Sequence, residues 1–124
     1  MGLTGDMMLE EKGKELGRLI GQSPEYQALK RSSEALNDDR DAVVLLQQME
    51  KLRGEAQALI QHGENPTPEM EQQLDSMLEK IQAQAAYQRA VSAQENFDKL
   101  MQRVNQWIMD GMKKGAASPI ITLG

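Results

Sequence analysis

Residues 87–112 read YQRAVSAQENFDKLMQRVNQWIMDGM, and the spacing of the apolar positions in this run decides the fold class. Tyr87, Val91, Phe97, Leu100, Met101, Val104, Trp107, Ile108 and Met112 fall mostly three or four residues apart, the period that gathers side chains along one stripe of an α-helix. No Gly or Pro interrupts the run before Gly111. At about 1.5 Å per residue it predicts a rod of roughly 35–40 Å, longer than a small domain is wide. The only Phe and the only Trp of the chain lie on it. A rod of that length with an apolar stripe needs other helices along it, so the remaining residues are read as its cover.

Composition agrees. A chain of 124 residues predicts one domain, able to bury roughly two-thirds of its unfolded surface. With aromatics at 3 % and nine Met, the core must be built from aliphatic side chains and Met in thin seams between helices. A sheet would ask for more β-branched and aromatic residues. The net charge of −5, from 19 acidic and 14 basic residues with no basic block, disfavours direct capture of nucleic acid, which relies on Lys and Arg to neutralise phosphates. No apolar run approaches the roughly 20 residues that span a bilayer, so no membrane association is expected. The first residues lack a basic segment followed by an apolar one, and no signal peptide is expected. The absence of Cys excludes disulfides, thiolate metal sites and Cys-ligated iron–sulfur clusters, and it fits a cytoplasmic location.

Punctuation along the chain predicts the other helices. Asp6 is read as the N-cap of a helix over 7–21 with Leu9, Leu16, Leu19 and Ile20 inward. Gly13, Gly17 and Gly21 lie four apart on it, and each interior Gly costs about 1 kcal/mol against Ala. Gly17 is the candidate groove for a crossing helix; the alternative is a fraying helix with a Gly cap at its end. Ser23, Pro24 and Glu25 restart the chain as cap, first-turn Pro and dipole-compensating acid, with Tyr26, Leu29, Ser33 and Leu36 inward. Asn37, Asp38 and Asp39 break this helix and cap the next, which runs to Gln61 on Val43, Leu45, Leu46, Met49, Leu52, Ala56, Leu59 and Ile60. His62 to Pro66 is a loop, and Thr67 and Pro68 open a helix on Met70, Leu74, Met77, Leu78 and Ile81. A short loop between long helices predicts an antiparallel hairpin. Residues 82–86, QAQAA, contain no breaker, and a kink or short break is expected near Gln84 where the apolar stripe changes face. Lys113, Lys114 and Gly115 finish the last helix. The expectation is a helical domain over 1–114 and a flexible tail over 115–124.

Catalytic parts are scarce. The sole His62 sits in the polar loop, and no spacing pairs it with Ser23, Ser32, Ser33, Ser76, Ser92 or Ser118. There is no Glu-x-x-His for a di-metal bundle and no Gly-Lys-Ser/Thr for a phosphate loop. Glu69, Glu71, Asp75 and Glu79 read as a solvated face. No catalytic residue, metal or cofactor is therefore assigned. Trp107, Ile108 and Met109 in succession make the last helix apolar on more than one side, more than one narrow stripe can bury. A second surface must cover some of them, and self-association supplies it at least cost.

Two motifs carry a family resemblance. Leu16-Gly17-x-x-Ile20-x-x-Ser23-x-Glu25-Tyr26 and Ala93-x-x-x-Phe97-x-x-Leu100-x-x-x-Val104-x-x-x-Ile108 resemble the YlbF/YmcA family of small helical bacterial regulators, as does the acidic break at 37–39 before a Gln- and Glu-rich helix. The resemblance spans about Met8 to Met109. It implies a cytoplasmic helical protein that forms dimers or hetero-complexes, some relatives of which help partner proteins regulate an endoribonuclease and, through it, developmental processes. Family members often have Asn-Pro where this chain has Gln84-Ala85, and some carry cluster-ligating cysteines that this chain lacks.

The sequence thus predicts an all-α, elongated bundle of four to five helices with a central antiparallel hairpin and a long C-terminal helix. The function expected is a non-enzymatic regulatory adaptor, a homo-oligomer (a dimer first) or a hetero-complex with related proteins. Its contact residues are Gly17, Phe97, Met101, Val104, Trp107, Ile108, Met109 and Met112. The alternative is a structural or chaperone-like hairpin protein that shields a client or builds an assembly.

Overall fold

The computed structural model describes residues 2–117, which form five helices: α1 (Gly2–Gly21), α2 (Pro24–Asp38), α3 (Arg40–Gln61), α4 (Pro68–Gln82) and α5 (Ala85–Ala117). Among the described residues there is no strand.

Side-chain caps set most of the boundaries. Ser23 Oγ accepts from the Tyr26 N–H at 3.1 Å, Asp39 Oδ1 from the Ala42 N–H at 3.1 Å and Thr67 Oγ1 from the Met70 N–H at 3.2 Å, each satisfying a donor that has no partner within its helix. The end of α3 is a Schellman closure. Gly63 takes φ +79°, the Glu64 N–H donates to the Leu59 carbonyl at 2.8 Å, and the Gly63 N–H donates to Ile60 at 3.0 Å. That geometry turns the chain back on itself, so α4 lies antiparallel against α3. The break expected near Gln84 is present, with α4 ending at Gln82 and α5 starting at Ala85.

The dominant packing partners are α2 with α5 and α3 with α4. The Tyr26 and Phe97 rings meet at 5.7 Å and 59°, and Arg103 Nη2 lies 3.5 Å from Glu25 Oε2. Further along the pair, Arg31 and Ala35 share a groove with Arg89 and Ala93, so α2 and α5 run antiparallel. The architecture follows from these two pairings: one long helical hairpin with the 62–67 loop at its tip, jointed at Asp39 on one limb and at Ala83–Gln84 on the other. A hairpin two helices thick covers each helix on one side only. Its core is accordingly a thin line of Ala42, Met49, Leu52, Ala56, Ile81, Ala93 and Val104. Ala42 and Ile81, each 1 % exposed, sit at the ends of α3 and α4 that adjoin the α2/α5 pair.

Several details differ from expectation. Asp6 is inside α1 rather than capping it, because the helix begins at Gly2. On α1, Leu16 and Ile20 are half-buried while Leu9 and Leu19 are exposed. On α2 it is Ser32, donating to the Leu29 carbonyl at 3.0 Å, that turns inward, and Ser33 is exposed. Ile60 and Leu78 are exposed as well, since no third helix covers the hairpin there. The last helix does not stop at Gly115 but continues to Ala117. The rest of the expected tail, 118–124, lies outside the described residues.

Candidate interaction surface

The stripe of α5 that packs inward carries Ala93, Phe97, Leu100 and Val104, and the same stripe continues through Trp107, Ile108 and Met112. What changes at Val104 is the cover. In the antiparallel pairing, the first turn of α2 stands opposite Arg103, as the Glu25–Arg103 contact records. With 15 residues, α2 reaches about 22 Å, whereas the 33 residues of α5 reach about 50 Å. Val104 is 4 % exposed, while Trp107 one turn later is 60 % exposed and Met112 is 68 % exposed. Ile108 and Met109 are exposed too, with Met109 on the opposite flank from the stripe.

The element that could cover this overhang is α1, which makes appreciable contact with no helix but α2. Hydrogen bonds define the joint between them. The Ser23 N–H donates to the Ile20 carbonyl at 3.0 Å, Ser23 Oγ donates to the same carbonyl at 2.6 Å, and Gln27 Nε2 donates to the Gly21 carbonyl at 2.7 Å. Consequently α1 projects with its own apolar residues bare: Leu9 is 74 % exposed, and Met7, Met8 and Leu19 are exposed with it. A Cβ built at Gly13, Gly17 or Gly21 would meet nothing within 4 Å, so no helix of the same chain uses the groove that Gly17 offers.

The residues singled out from the sequence therefore divide. Phe97, Met101 and Val104 are engaged wholly or partly within the chain, whereas Gly17, Trp107, Ile108, Met109 and Met112 face outward. Sequence reasoning placed Gly17 of α1 on this surface but read Leu9 and Leu19 of the same helix as inward-facing, whereas both are exposed. The signal for a contact face on α1 was present in Leu9, Gly13, Leu16 and Ile20, spaced four, three and four apart. Charge around the surface is carried by exposed pairs on α1, Glu10–Lys14 at 2.8 Å and Lys12–Glu15 at 3.5 Å.

Elsewhere the surface is polar and open. A shallow groove on α4 is lined by Glu69, Gln72, Gln73, Asp75, Ser76 and Glu79. His62 is exposed in the hairpin tip. Among the described residues no three His, Cys, Asp or Glu side chains converge as a metal site, and no helix is long and apolar enough to cross a membrane.

Comparison with known proteins identifies relatives and a family. The chain is 39 % identical over 71 residues to a UPF0342 protein of Streptococcus gordonii, a match covering 57 % of this chain and 63 % of that one. A UPF0342 protein of Streptococcus mutans is 35 % identical over 81 residues, 65 % of this chain and 72 % of the relative. One from Streptococcus sanguinis is 29 % identical over 96 residues, 77 % and 86 % respectively. The match to the first of these spans less than two-thirds of that relative's length. A family model described as control of competence regulator ComK, YlbF/YmcA, matches residues 9–113, from the bare face of α1 to the last turns of α5, and the chain belongs to that YlbF/YmcA family.

Proposed function

We propose that the protein is a non-enzymatic regulatory adaptor of the cytoplasm that works by pairing exposed helix faces with other proteins, a second copy of itself or a related chain first among them. The observation that carries this reading is the continuation of the buried α5 stripe into the open. Trp107, Ile108 and Met112 prolong the line of Phe97, Leu100 and Val104 beyond the point where α2 can cover it. Large apolar side chains grouped on a helix face in this way mark contact surfaces. Membership of a family described as a competence regulator supports a regulatory rather than a catalytic role. By the same likeness, the regulated process would be one in which YlbF/YmcA proteins modulate an endoribonuclease and developmental programmes.

The test is Trp107→Glu. It should lower the mass measured by light scattering to that of a single chain while leaving helicity by circular dichroism largely intact, and it should abolish stoichiometric recovery of a defined partner from the native cell. An unchanged mass together with unchanged partner recovery would remove Trp107 from any contact surface. Recovery of many unfolded clients in place of one defined partner would favour a chaperone-like protein.

A further inference from the structure

We infer that the elbow of the hairpin, where α4 gives way to α5, is a second docking surface, and that its occupant is a basic amphipathic helix of a partner protein. This rests on the adaptor reading above but concerns a different face. Val91 at the elbow precedes Trp107 by 16 residues of the same helix, about 24 Å.

Two stripes meet at this elbow. On α4, Glu71, Asp75, Leu78 and Gln82 step by four, three and four residues and so share one flank of the helix, beside the buried edge that carries Ile81. On α5, Tyr87, Val91, Glu95 and Asp98 step by four, four and three, on the side turned away from Ala93 and Val104. A shallow groove lined by Gln82, Tyr87, Val91 and Glu95 among others joins the two stripes into one line. The bond from Gln88 Nε2 to the Gln82 carbonyl, 2.6 Å long, ties the helices together at the crossing. Leu78 is 38 % and Val91 37 % exposed, with Tyr87 half-buried between them. The principal neighbours of these helices, α3 for α4 and α2 for α5, pack on their inner faces and leave the line open.

Charge selects the occupant. The line runs from Glu71 and Asp75, through apolar Leu78, Tyr87 and Val91, to Glu95 and Asp98. The four bases between residues 68 and 103 all stand on other faces. Lys80 shares the α3/α4 groove with Lys51, Arg89 shares the α2/α5 groove with Arg31, and Lys99 and Arg103 border Glu25. Among the described residues none of the four acids of the line is held in an ion pair. The limb from residue 40 to residue 82 has eight acids and four bases, and so carries −4 of the net −5. An apolar centre between acidic ends complements a helix with apolar residues in its middle turns and Lys or Arg toward both ends. A helix suits the surface because it pairs its own backbone groups, and the described residues offer no strand edge to an extended segment. The same acids repel nucleic acid and anionic lipid, and among the described residues no three acids converge as a metal site.

The experiment titrates the full chain into a fluorescein-labelled model helix and follows anisotropy. The probe is about five turns long, with Leu on one face at its centre and Lys toward both ends. It should bind about tenfold tighter than a scrambled peptide of the same composition. Asp75→Lys/Glu95→Lys should weaken it by about tenfold or more, and Val91→Gln several-fold at unchanged net charge. Glu34→Lys/Glu55→Lys makes the same change of net charge on α2 and in the α3/α4 groove, and should leave binding within about twofold. All five residues are exposed, so helicity by circular dichroism should hold throughout. Equal binding of helix and scramble, or equal loss from the two charge-reversed pairs, would reduce the effect to diffuse attraction and overturn the proposal. It is also overturned if the parent ignores the probe while Asp75→Lys/Glu95→Lys lowers the light-scattering mass, which would give the elbow to a second copy. Trp107→Glu should bind the probe as the parent does, and loss of binding there would deny that the two faces are separate. Failure of the probe with recovery of the native partner still dependent on Trp107 removes the elbow site alone and leaves the adaptor reading in place.

Discussion

The two ends of this hairpin are built from the same kinds of residue and are covered very differently. At the α3/α4 end, helices of 22 and 15 residues close on Met49, Leu52, Ala56 and Ile81. At the other end, α1 and the last turns of α5 present Leu9, Leu19, Trp107 and Met112 to solvent. The apolar periodicity is helical in both regions. What separates them is whether a second helix lies alongside, so burial here is a property of register and length more than of composition.

The contrast can be broken most sharply at its buried pole. Ile81→Ala should cost about 2–5 kcal/mol in urea unfolding, because it empties a fully enclosed site in a core too thin to collapse around it. Leu19→Ala in a chain made monomeric by Trp107→Glu should stay within about 0.5 kcal/mol. Equal losses would mean that α1 is packed in the lone chain after all. At the joint between α1 and α2, Ser23→Ala removes the cap of α2 and the hydroxyl bond to Ile20. It should cost about 1–2 kcal/mol by the same measurement and reduce the dimer fraction, since α1 loses its fixed direction. The smallest effect is the most discriminating. Gly17→Ala should stabilise the Trp107→Glu background by about 1 kcal/mol, because the groove is empty and Ala is the better helix former. In the unmodified protein it should weaken association instead. A stabilisation of the same size in both backgrounds would show that no helix approaches Gly17.

Much of the fold was legible because its boundaries are written in local chemistry. Ser23-Pro24, Asp39 and Thr67-Pro68 announce three helix starts by side-chain capping, and Gly63 announces the reversal by tolerating positive φ. The break at Ala83–Gln84 is harder to read, as neither residue is a breaker. A subtler sign exists in the glutamine six residues after each helix end. Gln88 Nε2 donates to the Gln82 carbonyl at 2.6 Å just as Gln27 does to Gly21, so both joints use one device. The start of α1 misled because Asp6 has the chemistry of a cap yet lies mid-helix, and Gly5 lowers helix propensity without ending the helix. For the contact surface, periodicity identified the stripe but could not say where its cover stops. That depends on α2 ending opposite Arg103, a tertiary fact that neither helix encodes alone. Hence Phe97, Met101 and Val104 were grouped with Trp107 although the chain itself encloses them wholly or in part.

The solitary indole has a practical corollary. Because Trp107 is the chain's only tryptophan and stands on the bare face, ultraviolet emission excited at the red edge originates from one spot on the molecule. Its colour reports hydration at that spot without any label. Red-shifted light signals a wet ring and blue-shifted light a covered one, so dilution of the native protein in a cuvette reads directly whether anything sits there.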